Sequence, residues 1–364
     1  MEDKSMRLRN SCLLSATSIM TAGTKVLDIN VRDLISRITI IIKTVNSSWV
    51  PTGHPALIAK QIDLVDGSDV LHSARGVYSQ ALAFYGTKIQ PHNYINYTDN
   101  GTAQAVIPIY FGRHLFDRQL ALNPENFNNL QLKIEHNYAL GGSVPDACTL
   151  EVWADIFDDA PENVTGFLTA KSHWTKTLVA STTDYVDLPT DHPIRLVMPS
   201  AFSNDEEPDI NIASIKLSED QDKRILIDCS TLAALAMFES QYPAWTEIGE
   251  GRLVANTDKE FFVTPCKDVM LNPIMTEDSD GIIHSPWSGG NGRILDGSVG
   301  GTINIHVSGR SPHGAIPIPM GRLQEITDWW DTPSIGSARI KMVTGAGDTS
   351  SLYELLLQQY RLYK

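Results

Sequence analysis

Paired cysteines and long apolar runs are both missing from this sequence of 364 residues. Its cysteines are widely separated, with no C-x-x-C pair or Cys/His cluster, and they are Cys12, Cys148, Cys229 and Cys266. This spacing disfavours a zinc site or a redox motif and is typical of unpaired thiols in a reducing compartment. The apolar stretch 11–22 is too short and too polar for a signal core or a membrane span, so cytoplasmic synthesis is expected.

Recognisable reaction motifs are missing as well. The glycine-rich stretches 289–292 and 297–301 lack the spacing of a phosphate-binding loop. The ten histidines show no metal-binding spacing, and no G-x-S-x-G turn occurs. The acidic stretches Asp155–Asp159, with Glu162, and Asp205–Asp209 lack the order of a calcium loop, which favours solvated loops. We therefore predict no catalytic, cofactor-binding or metal-binding residue, no cofactor, and no enzymatic activity.

The chain has fewer basic than acidic residues, and its charge is unevenly distributed along the sequence. Its net charge is −14 and its isoelectric point is about 5.1. A surface of this sign repels phosphate, so we expect no recognition of specific nucleic-acid sequences. Residues 1–43 nevertheless carry a charge of +3 and the remainder −17. This imbalance suits an N-terminal arm that faces an anionic surface, and it suits simple solubility equally well.

The chain does contain one arrangement twice: β-branched strands, then one short helix, then a long series of strands. In the first copy, β-branched residues predict strands at Ile38–Ile42, whose near-continuous apolar run is typical of a strand buried on both faces, and at Ile62–Val65. An apolar stripe and the capping residue Asp69 predict a helix at Asp69–Tyr85. In the second copy, similar patterns predict a hairpin of Ile212–Leu217 with Arg224–Ile227 and a helix at Thr231–Tyr242.

This pattern predicts an all-β protein with two consecutive eight-stranded jelly-roll sandwiches, each with one short helix. A doubly wound α/β fold needs a helix after nearly every strand, and a propeller or solenoid needs a fixed short period. Neither occurs. The predicted divisions are an N-terminal arm (1–30), a first jelly roll (31–202), an acidic linker (203–209), a second jelly roll (210–345) and a helical tail (346–364).

Several passages, together with this layout, resemble the double jelly-roll major capsid proteins of tailless icosahedral viruses, with bacteriophages prominent among them. The passages are Ala105–Arg113, Phe127–Ile134, His192–Met198 and Ile215–Arg224. The resemblance implies a homotrimer whose six jelly rolls form a pseudo-hexameric capsomer of a virion shell. It also implies contacts with neighbouring capsomers and minor or penton proteins, and an N-terminal arm facing an internal membrane or the genome.

A glycan-binding protein of the spike or lectin type is the main alternative. In that interpretation Trp245, Trp287, Trp329 and Trp330 would face solvent in a groove, where aromatic rings stack on sugars. A glycan-active enzyme would require a convergent carboxylate pair, and the sequence singles out none.

Overall fold

A computed structural model of the chain describes residues 7–203, 206–253, 259–275, 283–285, 289–295, 301–347 and 352–363. Its first half contains β1 (Leu8–Ser18), β2 (Gly23–Asp28), β3 (Ile35–Asn46), β4 (Ala59–Asp66), β5 (Asp69–Ala74), α1 (Gly76–Thr87), β6 (Ile95–Asn96), β7 (Thr102–Tyr110), β8 (Leu130–His136), β9 (Pro145–Phe157) and β10 (Gly166–Thr177). Among the described residues no helix has the length and apolar composition needed to cross a bilayer.

The second half begins with β11 (Thr183–Leu188), β12 (Ile194–Phe202), α2 (Pro208–Asn211), β13 (Ile212–Glu219), β14 (Arg224–Ser230) and α3 (Thr231–Phe238). It continues with β15 (Trp245–Leu253), β16 (Lys259–Phe262), β17 (Pro265–Met275), β18 (Ile283–Ser285), β19 (Asn291–Leu295), β20 (Gly301–Pro312), β21 (Ile318–Pro319), β22 (Ala338–Thr344) and β23 (Leu352–Leu362). Short 3-10 helices lie at Pro55–Ile58, Pro124–Asn126, Tyr138–Leu140, Glu239–Gln241, Ile326–Asp328 and Thr332–Ser334.

The first sandwich consists of the four-stranded sheet β1-β9-β3-β7 facing the strands β2-β8-β4-β5. Strand β3 shows why it forms, because its side chains alternate between buried and half-buried positions. Ile38, Ile40 and Ile42 are fully buried and pack in one core with Leu64 and Ile134 of the facing strands. The alternation therefore orients one face of each sheet toward a shared apolar interior.

The second sandwich repeats this plan with the sheet β11-β22-β13-β14 facing the strands β10-β23-β12-β21. Ile215 and Ile340 lie in its core opposite Val197 and Leu355. The predicted hairpin of β13 and β14 is confirmed, since the two strands pair antiparallel across residues 214–230. Two sandwiches of eight strands each, as predicted from the sequence, make up the body of the molecule.

A single sheet joins the two sandwiches. The strands β2-β8-β4-β5 and β10-β23-β12-β21 form one continuous eight-stranded sheet, here called the shared sheet. The join is a short parallel pairing of β5 with β10, at His72 with Ala170 and at Ser73 with Lys171. The relative orientation of the two sandwiches is therefore set in part by backbone hydrogen bonds.

Residues 245–312, here called the insert, leave the second sandwich between α3 and β21. Their main sheet has the order β17-β20-β15-β6, so its last strand, which pairs with β15, comes from the first half of the chain. Phe261, Val269 and Ile305 of the insert pack with Ile95 of β6 in a small separate core. The insert thereby contacts both halves of the chain.

The predicted helical tail at 346–364 is wrong, because residues 352–362 form β23 in the interior of the shared sheet. Leu355 and Leu357 face the second core, whereas Leu356 faces the opposite side of the sheet. A strand buried on both faces has a continuous apolar sequence, which periodicity alone does not distinguish from a buried helix.

The predicted N-terminal arm at 1–30 is corrected for its described part. Residues 8–18 and 23–28 form β1 and β2, which pair with β9 and β8 at the edges of the first sandwich. Many of their side chains are exposed. Edge strands often carry polar residues, and for this reason the segment lacked a recognisable strand pattern.

The predicted linker at 203–209 does not separate the two cores. Strands β11 and β12 precede it, yet they pair with β22 and β23 and line the second core. The change of sandwich occurs along β10, since Phe167 lies in the first core and Trp174 packs against the second. Acidic, proline-containing loops occur within a sandwich as well as between two sandwiches, so the composition of 203–209 does not identify a domain boundary. Residues 204 and 205 lie outside the described part.

Both predicted helices exist with altered limits. Asp69–Ala74 is strand β5, and α1 begins only at Gly76. Helix α3 ends at Phe238, earlier than the predicted Tyr242, and a 3-10 turn follows it.

Candidate functional site at the junction of the two sandwiches

Helix α1 forms the centre of the junction. All its residues from Gly76 to Gly86 are buried, including the polar Ser79 and Gln80, which have hydrogen-bond partners within the chain. It packs on the face of the shared sheet opposite the two cores, against Leu196 and Leu356, and it also contacts Trp245 of the insert. Lys88, in the left-handed conformation (φ 62°), donates its N–H to Phe84 O and ends the helix.

Arg195 of β12 binds the end of this helix. Only 1% of the residue is exposed. Its guanidinium donates to Gly86 O at 2.8 Å, Gln358 Oε1 at 2.6 Å and Leu323 O at 3.0 Å. Burial lowers the pKa of Arg195 to about 10, so the group remains charged at neutral pH. Because a helix C-terminus carries partial negative charge, this cation stabilises the position of α1 over β12 and β23.

A second buried group, Glu247 of β15, connects the insert to the first sandwich. Its carboxylate accepts hydrogen bonds from Thr264 Oγ1 at 2.5 Å, Thr264 N at 2.8 Å and Asn93 Nδ2 at 3.2 Å. His54 Nε2 lies 3.2 Å from Glu247 Oε1, and Ala56 N donates to His54 Nδ1, which places the ring proton on Nε2. Burial alone raises the pKa of Glu247, but His54 and these hydrogen bonds lower it to about 2. The carboxylate is therefore stably ionised.

His313 and Gln80 extend the same network to the loop before β21. His313 Nε2 lies 2.9 Å from Gln80 Oε1, and Gln80 Nε2 donates to Asn93 Oδ1 at 2.8 Å. Burial holds the pKa of His313 well below 6.5, so its ring is neutral. The network thus joins residues of the first sandwich, the insert and the second sandwich.

Glu239, after α3, makes a third buried contact between the halves. Tyr85 Oη of α1 donates to its carboxyl at 2.6 Å, and Ser311 N donates at 2.7 Å. Burial raises the pKa of Glu239 to about 7, although both hydrogen bonds lower it. The carboxyl is therefore partly protonated near neutral pH.

The chemistry of this junction is structural. Arg195, His54, Glu247 and His313 are each at most 2% exposed, so a substrate has no access to them. A small cavity beside His72 and Arg195 has a volume of about 10 Å³, enough for one water molecule. Within the described ranges no group of three or more His, Cys, Asp or Glu residues is placed to hold a metal ion. What the arrangement accomplishes is to hold two sandwiches and the insert in one fixed geometry.

The comparisons with known proteins bear on this geometry. No family model matches the chain, and no curated protein matches its sequence. Solved structures do match its fold over nearly the whole length. The major capsid protein of Sulfolobus Turreted Icosahedral Virus superposes with a TM-score of 0.60 at 12% identity, covering 98% of this chain and 97% of that chain.

Two further structures match in the same way. The major capsid protein of bacteriophage PM2 has a TM-score of 0.55 at 10% identity and covers 98% of both chains. The quasi-atomic model of the PBCV-1 virus capsid has a TM-score of 0.55 at 9% identity, covering 100% of this chain and 95% of that chain. This chain is a double jelly roll. The predicted fold class is thereby confirmed, and its two eight-stranded sandwiches are the two rolls.

The tryptophans of the glycan-binding alternative do not form a groove in this double jelly roll. Trp245, Trp329 and Trp330 are at most 6% exposed, and Trp330 Nε1 donates to Glu219 Oε1 at 2.6 Å. Trp287 lies outside the described residues. These rings belong to the packed interior, and the glycan-binding interpretation has lost its main support.

The acidic stretch Asp155–Asp159 is neutralised by the chain itself. Arg37 Nε donates to Asp155 Oδ2 at 2.6 Å, Arg7 binds Asp159, and Arg9 binds Asp158. Three cations therefore occupy the carboxylates that the sequence suggested as a solvated loop. Two of these arginines come from the segment predicted to face an anionic surface.

Other residues singled out in the sequence lie apart from one another. Gly289–Gly292 reaches β19 from a turn beside Phe202 and Cys266, whereas 297–300 lie outside the described part. His136 and His306 lie in different sheets, on β8 and β20. All four cysteines are unpaired, and Cys148 and Cys266 are buried.

Sequence reasoning assigned no role to Arg195, His54, Glu247 or His313, the buried polar residues of the junction. Arg195 had a usable signal, because it interrupts the otherwise apolar strand Ile194–Met198 and an arginine is rarely fully buried without a role. His54, Glu247 and His313 had none, since their hydrogen-bond partners lie up to 233 positions away in the chain.

Acidification is expected to destabilise the rolls through His72. This buried histidine of β5 lies 3.1 Å from Ser79 Oγ of α1, and burial lowers its pKa from 6.5 to about 4. The unfolded chain therefore binds more protons below pH 6.5, and stability decreases as the pH falls from about 6.5 to 4, by about 3 kcal/mol for this group. His313 acts in the same direction. The effect of Glu239 on stability has the opposite sign, because its pKa is raised on folding. Its contribution to stability is complete below pH 4.5 and is lost as the pH rises through 7.

The measurement is the melting temperature between pH 4 and pH 8 for the wild type and for His72→Gln. The variant is expected to lose part of the acid-side decrease, whereas His114→Gln, at an exposed position, keeps the wild-type profile. If the melting temperature decreased equally with falling pH in all three proteins, the assignment to His72 would be contradicted.

Proposed function

We propose that this chain is a major capsid protein that builds the shell of an icosahedral virus. The observation that carries the proposal is the superposition of both rolls, over 98% of the chain, on major capsid proteins of two icosahedral viruses. A role in the virion places the protein in the capsid after synthesis in the host cytoplasm. A bacteriophage is the source we favour, because one of the matched proteins comes from bacteriophage PM2.

The unit of assembly in this proposal is a homotrimer. Two rolls of equal strand number in one chain make six in a trimer, which suits a pseudo-hexameric capsomer. Tiling requires that the two rolls keep one relative orientation, and the buried contacts of Arg195 and Glu247 supply that rigidity. Neighbouring capsomers and minor or penton proteins are the further partners that this role implies.

The basic N-terminal segment contributes less to this role than its composition suggests. Arg7 and Arg9 are bound to Asp159 and Asp158 of the same chain, so their charge is largely compensated. We infer that any contact of the segment with an internal membrane or genome depends little on these two arginines. Recognition of a specific nucleic-acid sequence is not part of the proposal.

We infer further that the protein has no enzymatic activity. Its titratable clusters at the junction are closed to solvent, and the matched proteins are named as capsid components. The glycan-binding function has no supporting observation among the described residues, because three of its four tryptophans are buried.

The trimer is tested by the mass of the purified protein in solution. Light scattering coupled to size-exclusion chromatography is expected to give about 120 kDa, three times the chain mass of 40.1 kDa. A monomer at all accessible concentrations would contradict the proposed assembly.

A further inference from the structure

Two buried glutamates lie at the junction, and they differ in how their oxygens are hydrogen-bonded. Glu247 accepts from three N–H or O–H groups and faces His54. Glu239 accepts only at Oε1, from Tyr85 Oη at 2.6 Å and Ser311 N at 2.7 Å. Its Oε2 is buried and has no hydrogen-bond partner among the described residues. A buried carboxylate oxygen without a donor disfavours the ionised form, because the lost hydration of the charge is not replaced.

The hydroxyl group of Tyr85 has two acceptors within reach and one proton to donate. Its Oη lies 2.6 Å from Glu239 Oε1 and 3.1 Å from Ala315 O. When Glu239 is ionised, the hydroxyl donates to it, and Ala315 O keeps Ser311 Oγ as a donor at 2.7 Å. When Glu239 is protonated at Oε1, it donates to Tyr85 Oη, and Tyr85 donates to Ala315 O. The contact therefore accepts a proton without any displacement of its heavy atoms.

The loop at 311–315, on the other side of the carboxyl group, has a strained backbone. Ser311 and His313 both have φ of 53°, in the left-handed region, and both are fully buried. Residues other than glycine keep this conformation only where their surroundings hold them in it. The bond from Ser311 N to Glu239 Oε1 is one of the contacts that do so. The conformation of the loop thus depends on the state of Glu239.

Glu239 can exchange a proton with solvent although only 3% of it is exposed. It lines an open groove of about 230 Å³ beside α3, together with Leu232, Lys267, Asp268 and Arg310. Arg310 donates to the backbone carbonyl oxygen of Glu239 at 2.8 Å. This groove connects the carboxyl group to the surface.

The neutral groups around Glu239 do not titrate between pH 6 and pH 9. Burial raises the pKa of Tyr85 well above 10 and the pKa of Tyr242 to about 12. Burial also raises the pKa of the Cys266 thiol and holds the pKa of His313 well below 6.5. Within this range all four side chains remain uncharged.

The charged groups around Glu239 come from β17 and β20. Asp268 raises the pKa of Glu239 and Arg310 lowers it, both by less than burial does. Burial lowers the pKa of Lys267, but hydrogen bonds to Glu207 and Asp209 raise it overall, so this lysine stays charged and paired. A change of charge at the contact near neutral pH is therefore a change at Glu239.

We propose that Glu239 is a proton-operated latch that closes the contact between α1 and the loop at 311–315 when it is protonated and loosens it when it is ionised. Loss of the proton leaves a buried charge with one unsatisfied oxygen, which is relieved when the loop and the end of α1 open toward the groove. The inference does not depend on the proposed function. In a shell built from this chain, the latch makes the orientation of the two rolls less rigid above neutral pH.

Hydrogen exchange measured by mass spectrometry at pH 6, 7 and 8 tests the latch, with each rate divided by the intrinsic rate at that pH. Because folding raises the pKa of Glu239 from 4.5 to about 7, its stabilisation is lost as the pH rises through 7. In the wild type we expect the protection of residues 80–87 and 308–316 to decrease about tenfold from pH 6 to pH 8. Glu239→Gln keeps the shape without the titration and is expected to show equal protection at both pH values.

Tyr85→Phe provides a second test that does not require Glu239→Gln to fold. Removal of the hydroxyl group takes a donor from the ionised carboxylate, so the pKa of Glu239 rises further. The decrease in protection is then expected to continue above pH 8. Glu151→Gln, which alters a carboxylate near the surface, is the control and is expected to keep the wild-type profile.

Infrared difference spectra between pH 6 and pH 9 report the proton itself. We expect the wild type to lose the carbonyl absorption of a protonated carboxyl group over this range, and Glu239→Gln to lack that change. Equal pH dependence of exchange in the wild type and Glu239→Gln, or identical difference spectra, would overturn the latch. Neither result affects the mass of the assembled protein, which tests the proposed function separately.

Discussion

Replacing Arg195 with alanine is expected to lower the free energy of unfolding by about 3–5 kcal/mol, because two buried acceptors and one half-buried acceptor lose their donor together. The acceptors are Gly86 O, Gln358 Oε1 and Leu323 O, which belong to α1, β23 and the segment after β21. Thermal unfolding is expected at a melting temperature roughly 5–10 °C lower.

Two further variants separate this role from a general effect of removing an arginine. Arg195→Lys keeps the charge, but an ammonium group does not reproduce the planar donor geometry, so we expect an intermediate loss. Arg7→Ala removes an arginine whose side chain is 76% exposed, and we expect a change within about 0.5 kcal/mol. An Arg195→Ala protein that melts within a degree of the wild type would show that the buried cation does not hold the junction.

Replacing Glu247 with glutamine is expected to loosen the insert by a similar free energy, about 3–5 kcal/mol, despite the nearly unchanged shape. The carboxylate accepts from Thr264 Oγ1, Thr264 N and Asn93 Nδ2, and His54 Nε2 also points to it. A glutamine amide presents an additional donor to this set of donors. At least one buried N–H group is therefore left without an acceptor.

Hydrogen exchange measured by mass spectrometry is the appropriate readout, because the loss should be local. Peptides from β15 and β20 are expected to exchange faster in Glu247→Gln, whereas those of β3 and β9 in the first core keep their protection. The control is Glu151→Gln, where the carboxylate binds Lys43 near the surface at 3.4 Å. Unchanged exchange across the insert would contradict the assigned role of Glu247.

The fold was predictable from the sequence where one face of a strand is buried and the other faces solvent. β8 alternates along its whole length, and the structure buries every second residue from Leu130 to His136. β23 was not predictable in this way, because both faces are buried and its sequence is apolar on consecutive positions. The prediction missed β1 for the opposite reason, because an edge strand with exposed side chains has little apolar pattern.

The junction was not predictable because it depends on contacts between distant parts of the chain. Arg195 meets Gly86 and Gln358, which are 109 and 163 positions away. No local pattern encodes such a pairing. The boundary between the rolls was misplaced for a related reason: β10 contributes to both cores, and the sequence has no break there.

The central claim, that two rolls per chain make a six-membered capsomer from three chains, is tested most directly by negative-stain electron microscopy of the purified protein. The account predicts projection classes with a hexagonal outline and six lobes, assembled from three chains. Isolated two-lobed particles, with no closed ring in any class, would contradict it.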